Sequence, residues 1–80
     1  MANVYSKEYQ SFLDKLKKAR LDVEMSQRDA AKRFRRPQSF ISRSETGESR
    51  VDVVDLTRFA EIYKKPVTYF FPTTSSKNKT

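Results

Sequence analysis

Gln38, Ser39, Ser42 and Arg43 are the residues whose types and spacing suggest chemistry here, and that chemistry is hydrogen bonding rather than bond making. Amide, hydroxyl and guanidinium groups are the ones that pair with base edges in a major groove. Read at helical pitch, Gln38, Ser39, Ser42, Arg43 and Thr46 share an outward side, while Phe40, Ile41 and Ser44 fall on the other. The charge around them is lopsided. Between Arg28 and Arg43 stand six basic residues (Arg28, Lys32, Arg33, Arg35, Arg36 and Arg43) against one acid, Asp29. A basic run by itself is usually only a solvated helical face. Here it accompanies paired short helices and a tight basic turn, and the conjunction points to double-stranded DNA.

The elements that must position this set are legible in the same stretch. Ser26 is a good N-cap for a helix to Phe34, with Ala30, Ala31 and Phe34 on its inward face. Arg35 and Arg36 make the turn. Pro37 suits the first position of the second helix, where a missing amide costs nothing, and Gly47 suits a left-handed close. Upstream, Tyr9, Phe12, Leu13 and Leu16 form the apolar stripe of a helix from Ser6 to Leu21. Downstream, Asp52 caps a fourth helix to about Tyr63, with Asp55 in the capping-box position and Leu56, Phe59, Ala60 and Tyr63 as its buried stripe. Val67 to Phe71 then supplies one short apolar turn between Pro66 and Pro72. The expected fold is all-α, a compact five-helix bundle over residues 1–72. The tail from 73 to 80, TTSSKNKT, lacks apolar residues and is expected to be disordered. Phe12, Leu16, Ala31, Phe34, Ile41, Leu56, Phe59 and Ile62 are expected to carry the core. Tyr69, Phe70 and Phe71 are more aromatics than one short turn of a small bundle readily buries, so part of that patch is a candidate dimer surface.

Composition removes several function classes. Eighty residues make one small domain. Lys and Arg number 17 against 10 Asp and Glu, a formal net charge of +7 that suits a polyanionic partner. There is no cysteine and no histidine, so disulfides, the usual zinc sites and Cys-His or Ser-His nucleophile pairs are excluded. The only glycine is Gly47, which rules out a phosphate-cradling glycine loop. The acids are scattered among basic neighbours without a catalytic or metal-binding pattern. Neither enzyme activity, a cofactor nor a metal is expected. No apolar run reaches the roughly 20 residues needed to span a bilayer. The first residues, MANVYSKEYQ, lack the basic start and apolar stretch of a signal peptide, so a soluble cytoplasmic chain with no membrane partner is expected.

These pieces, in their order, resemble a Cro/repressor-type helix-turn-helix domain, the Xre family of bacterial and phage regulators. LDKLKKARLDVEMSQRDAAKRF is similar to the family's first two helices. RRPQSFISRSETGESRVDVVDLTRFAEIY is similar to its recognition helix, the following glycine and the fourth helix, and KKPVTYFF to a common fifth. The resemblance runs from about Phe12 to Phe71. It implies five helices, a homodimer and a roughly palindromic site read by one recognition helix per half. It implies that Gln38, Ser39, Ser42 and Arg43 face the groove and that Gln27, at the positive end of helix two, meets a phosphate. It also implies an ion pair of Arg20 with Glu45. Arg28, Arg35, Arg36 and Arg50 complete the expected phosphate set, and Tyr69, Phe70 and Phe71 the dimer surface. Ser44 departs from the family's usual large apolar residue, with Phe40 one turn back to fill the space. Lys64 stands where a glycine is common.

The expected function is a sequence-specific DNA-binding transcriptional regulator, most simply a homodimeric repressor. A phage repressor or a restriction-modification controller fits the size equally. An antitoxin or protein-interaction module, whose helix-turn-helix autoregulates its operon while another surface holds a protein partner, is the alternative. RNA binding ranks behind both, because no aromatic stacking platform accompanies the basic residues.

Overall fold

A computed structural model describes residues 6–71; the expected tail from 73 to 80 lies outside the described residues. Among these residues four helices follow in order, α1 (Lys7–Asp22), α2 (Gln27–Phe34), α3 (Gln38–Thr46) and α4 (Val53–Tyr63), and a 3-10 turn comes after them at Val67–Phe70. Each helix starts where a side chain or the chain itself allows. Ser6 Oγ accepts from the Tyr9 amide at 3.1 Å, so Ser6 caps α1 rather than belonging to it. Ser26 and Asp29 form a full capping box at the start of α2, with bonds of 3.0 and 3.2 Å. Asp52 accepts from the Asp55 amide at 2.8 Å, but only this half of the expected box forms at α4. The Asp55 carboxylate lies instead 4.0 Å from Arg36. Pro37 has ψ 155° and precedes α3 instead of opening it, because an extended ψ keeps it outside the helical turn.

The expected fifth helix is a 3-10 turn. Its bonds run from Tyr69 N to Pro66 O and from Phe71 N to Thr68 O, both three residues back, at 2.9 and 3.1 Å. Lys64 in the left-handed conformation has already closed α4, and Pro66, at φ −67° and ψ 150°, precedes the turn in an extended conformation.

The core is aromatic at its centre. Phe34, Phe59 and Phe40 lie with ring centroids 4.5 to 6.0 Å apart, and Tyr63 adds a fourth ring 5.6 Å from Phe59. Leu16, Ala19, Ala30, Ile41 and Phe70 pack around them, essentially sealed from solvent. Leu56 and Ile62, expected in the core, are only partly buried against it. Ser44 is buried and donates to the Phe40 carbonyl at 2.8 Å, which satisfies its hydroxyl within the helix. The Phe40 ring is half-buried beside Phe34 and Phe59.

Candidate nucleic-acid interface

The unit formed by α2, the Arg35–Arg36 turn and α3 is closed by its own turn and held in place from α4 and from α1. Arg35 takes the left-handed conformation at φ 63° and its amide reaches back to Lys32 O at 3.2 Å, closing α2 before the turn. From α4, Arg58 donates to the Phe34 carbonyl at 2.9 Å while its guanidinium lies 4.5 Å over the Phe34 ring. One side chain thereby caps the end of α2 and packs on its last residue. From α1, Arg20 grips Glu45 near the end of α3 through Nε to Oε2 at 2.6 Å and Nη2 to Oε1 at 3.1 Å. Its Nη1 donates to Met25 O at 2.8 Å, fixing the α1–α2 connection as well.

The two side chains are 7% and 4% exposed, so this is a desolvated, two-point pair. The hydrogen bond to Glu45 raises the Arg20 pKa above its ordinary value, against the opposing effect of burial. Removing one partner of such a pair costs about 3–5 kcal/mol, because the other charge is left buried. The same carboxylate takes a further hydrogen bond, from Gln27 Nε2 at 3.1 Å. Gln27 Oε1 in turn lies 3.5 Å from Gln38 Nε2. A continuous polar chain therefore runs from α1 through α3 and α2 to Gln38, the first residue of α3's polar outward face.

On that face Gln38, Ser39, Arg43 and Thr46 are exposed and Ser42 is half-buried. Arg43 lies 3.9 Å from Glu48 across the Gly47 turn, a loose surface pair of the kind worth little. Arg28 and Arg35 are exposed. Arg36 is split between Asp55 and the Phe40 ring, 4.4 Å from its centroid. Arg50 lies beside α1, its guanidinium 4.6 Å over the Tyr9 ring. Gln27 keeps its place at the start of α2, but its side chain is committed to Glu45 and Gln38 rather than pointed at solvent.

The three aromatics of the closing turn differ in exposure. Phe70, expected at a dimer surface, is 1% exposed and sits edge-on to Phe12 inside the same chain, 6.2 Å between centroids. Tyr69 is half-buried with Lys65 4.8 Å from its ring, which leaves Phe71, 48% exposed, as the open member of the three. Arg58 is the residue that sequence reasoning missed. Its partner is 24 positions away and its spacing within α4 carries no sign of the contact. Among the described residues no cluster of carboxylates could hold a metal, and no helix is long and apolar enough to cross a membrane.

A family model described as a helix-turn-helix domain matches residues 11–67. The chain belongs to the helix-turn-helix domain family. Neither the curated proteins nor the solved structures yield a match. The matched span takes in α2, the turn, α3 and α4 whole, and stops short of Tyr69, Phe70 and Phe71. A helix-turn-helix domain points to DNA as the partner. The geometry suits that partner, with a polar outward face on the second helix of the motif and arginines at its flanks.

Proposed function

We propose that this helix-turn-helix domain is a sequence-specific double-stranded DNA-binding transcriptional regulator of the Cro/repressor (Xre) kind. It acts in the cytoplasm as a homodimer and represses by occupying a palindromic operator. The observation that carries the reading is the exposed Gln38, Ser39 and Arg43 stripe on α3, whose far end Arg20 holds through Glu45 while Arg58 caps the preceding α2. A reading head needs outward hydrogen-bonding groups and a rigid mount, and both are present. Gln38, Ser39, Ser42 and Arg43 read bases. Arg28, Arg35, Arg36 and Arg50, with the start of α2 at Gln27, meet phosphates. The dimer forms through Phe71 and the open edge of Tyr69.

An antitoxin-like role for the same domain is favoured by a separate feature. A groove of about 290 Å³ lined by Tyr9, Phe12, Val51, Leu56 and Phe71 gives an apolar surface built from other elements than α3.

The test is selection of bound sequences from a random duplex pool, followed by single-base variants of the selected site. Gln38→Ala should relax preference at one base pair in each half-site, by about 1–3 kcal/mol, while non-specific affinity holds. A pool that yields no enriched sequence, or a variant with the parent's preferences throughout, removes the base-reading role.

A further inference from the structure

We propose that Glu45 governs which base Gln38 selects, by fixing the direction of the two side-chain amides between the carboxylate and the groove. The inference rests on the base-contact reading of Gln38. A carboxylate paired with arginine only accepts hydrogen bonds. Glu45 Oε1 takes Arg20 Nη2 and Gln27 Nε2, each at 3.1 Å, so the NH2 of Gln27 turns inward. Its oxygen consequently faces Gln38. An amide oxygen also only accepts, and Gln38 answers with Nε2 at 3.5 Å. Two amide flips are thus decided in succession by one charge that is itself 4% exposed. The last link is long for a hydrogen bond, which leaves Gln38 free to extend toward DNA while its donor side stays on Gln27.

Gln38 then offers the groove its Oε1 and one remaining N–H in a set order. Adenine presents an N6 donor and an N7 acceptor, and inverting the base pair reverses their order across the groove. A glutamine free to turn end for end would accept both orientations. One held by Gln27 prefers A·T over T·A, or the reverse, at that position. Glu45 and Gln27 are therefore positioning residues, and the Arg20–Glu45 pair carries specificity in addition to holding α1 against α3.

The experiment uses operators carrying each of the four base pairs at the position that Gln38→Ala identifies. Glu45→Gln replaces the obligate acceptor with an amide able to donate to Gln27. Gln27→Leu cuts the chain while leaving the Arg20–Glu45 pair whole. The parent should separate the two A·T orientations by about fivefold or more. A folded Gln27→Leu should bring that ratio close to one, and a folded Glu45→Gln should do the same. Combining them should lose nothing further. In the DNA-free protein the Gln27 side-chain amide protons should be protected from exchange.

A Gln27→Leu protein that keeps the parent's orientation ratio overturns the proposal, as do additive losses. Unprotected Gln27 protons overturn the amide relay in the free protein. Protected protons alongside a Gln38→Ala variant with unaltered base preferences overturn the base-contact reading instead, and with it the relay's consequence for DNA.

Discussion

At the scale of single residues, the group most at odds with its surroundings is a hydroxyl. Tyr63 is sealed in the core and its OH has no hydrogen-bond partner among the described residues. An unsatisfied buried polar group costs about 1–3 kcal/mol. Burial also raises the Tyr63 pKa well above the ordinary phenol value of about 10, with Glu45 adding to the shift and Arg20 opposing it. The consequence for stability has a definite sign. The unfolded chain ionises first, so the stability tied to the neutral phenol is present below about pH 10 and is lost as pH rises past it. Tyr63→Phe should raise stability at neutral pH by about 1 kcal/mol and remove this residue's share of the alkaline loss. Thermal unfolding of parent and variant near neutrality and above about pH 10 measures both effects. A variant that melts lower at neutral pH would mean that the hydroxyl has a partner worth keeping. None of this was legible in the sequence, where Tyr63 reads only as one apolar position of a stripe.

At the scale of elements, the ends of helices are where local sequence is most informative. Ser26 and Asp52 cap as their positions suggest, because a cap bonds amides two or three residues away. Lys64 shows the cost of a departure. It closes α4 in the left-handed region at φ 60°, where glycine is at ease and a side chain is not. The left-handed conformation costs a non-glycine residue about 1–2 kcal/mol, part of which glycine returns through its greater freedom when unfolded. Lys64→Gly should therefore add about 0.5–1 kcal/mol, a rise of several degrees in melting temperature for a domain of this size. No gain would mean that contacts of the Lys64 side chain offset the strain.

The closing turn gives the second element-scale prediction. Phe70→Ala should cost about 3–5 kcal/mol, the usual loss for a buried phenylalanine, whereas Phe71→Asp should leave the fold intact. Sedimentation of Phe71→Asp against the parent tests the proposed dimer; a parent that remains monomeric at high concentration, with and without DNA, rules it out. The sequence marked these aromatics as too many to bury together. Which one enters the core depends on the 3-10 geometry after Pro66 and on Phe12 arriving from α1, far away in the chain.

At the scale of the whole molecule, charge dominates. A net charge of +7 on so small a domain draws it to any polyanion, and specificity has to be built on top of that attraction. Affinity should fall steeply with salt, with a log-log slope of about −0.9 for each phosphate neutralised. Arg36→Ala should lower that slope by about one contact and weaken specific and non-specific duplexes alike. Binding that hardly changes between low and physiological salt would exclude phosphate-led association. Arg36 must leave Asp55 to make its contact, but a pair at 4.0 Å on a wet surface is cheap to exchange.

Whatever depends on near neighbours in the chain was determined by the sequence alone. That covers the four amphipathic helices, the caps at Ser26 and Asp52, the basic turn, and the polar outward stripe of α3. Periodicity and capping act over one or two turns, and so can be read without a fold. Only the tertiary structure decided that Phe70 is core and Phe71 is surface, and that Arg58 caps α2. It also decided that Gln27 spends its side chain on Glu45 and Gln38. Each of these joins residues far apart in sequence, and which donor meets which acceptor follows from how the helices cross rather than from the order of residues along any one of them.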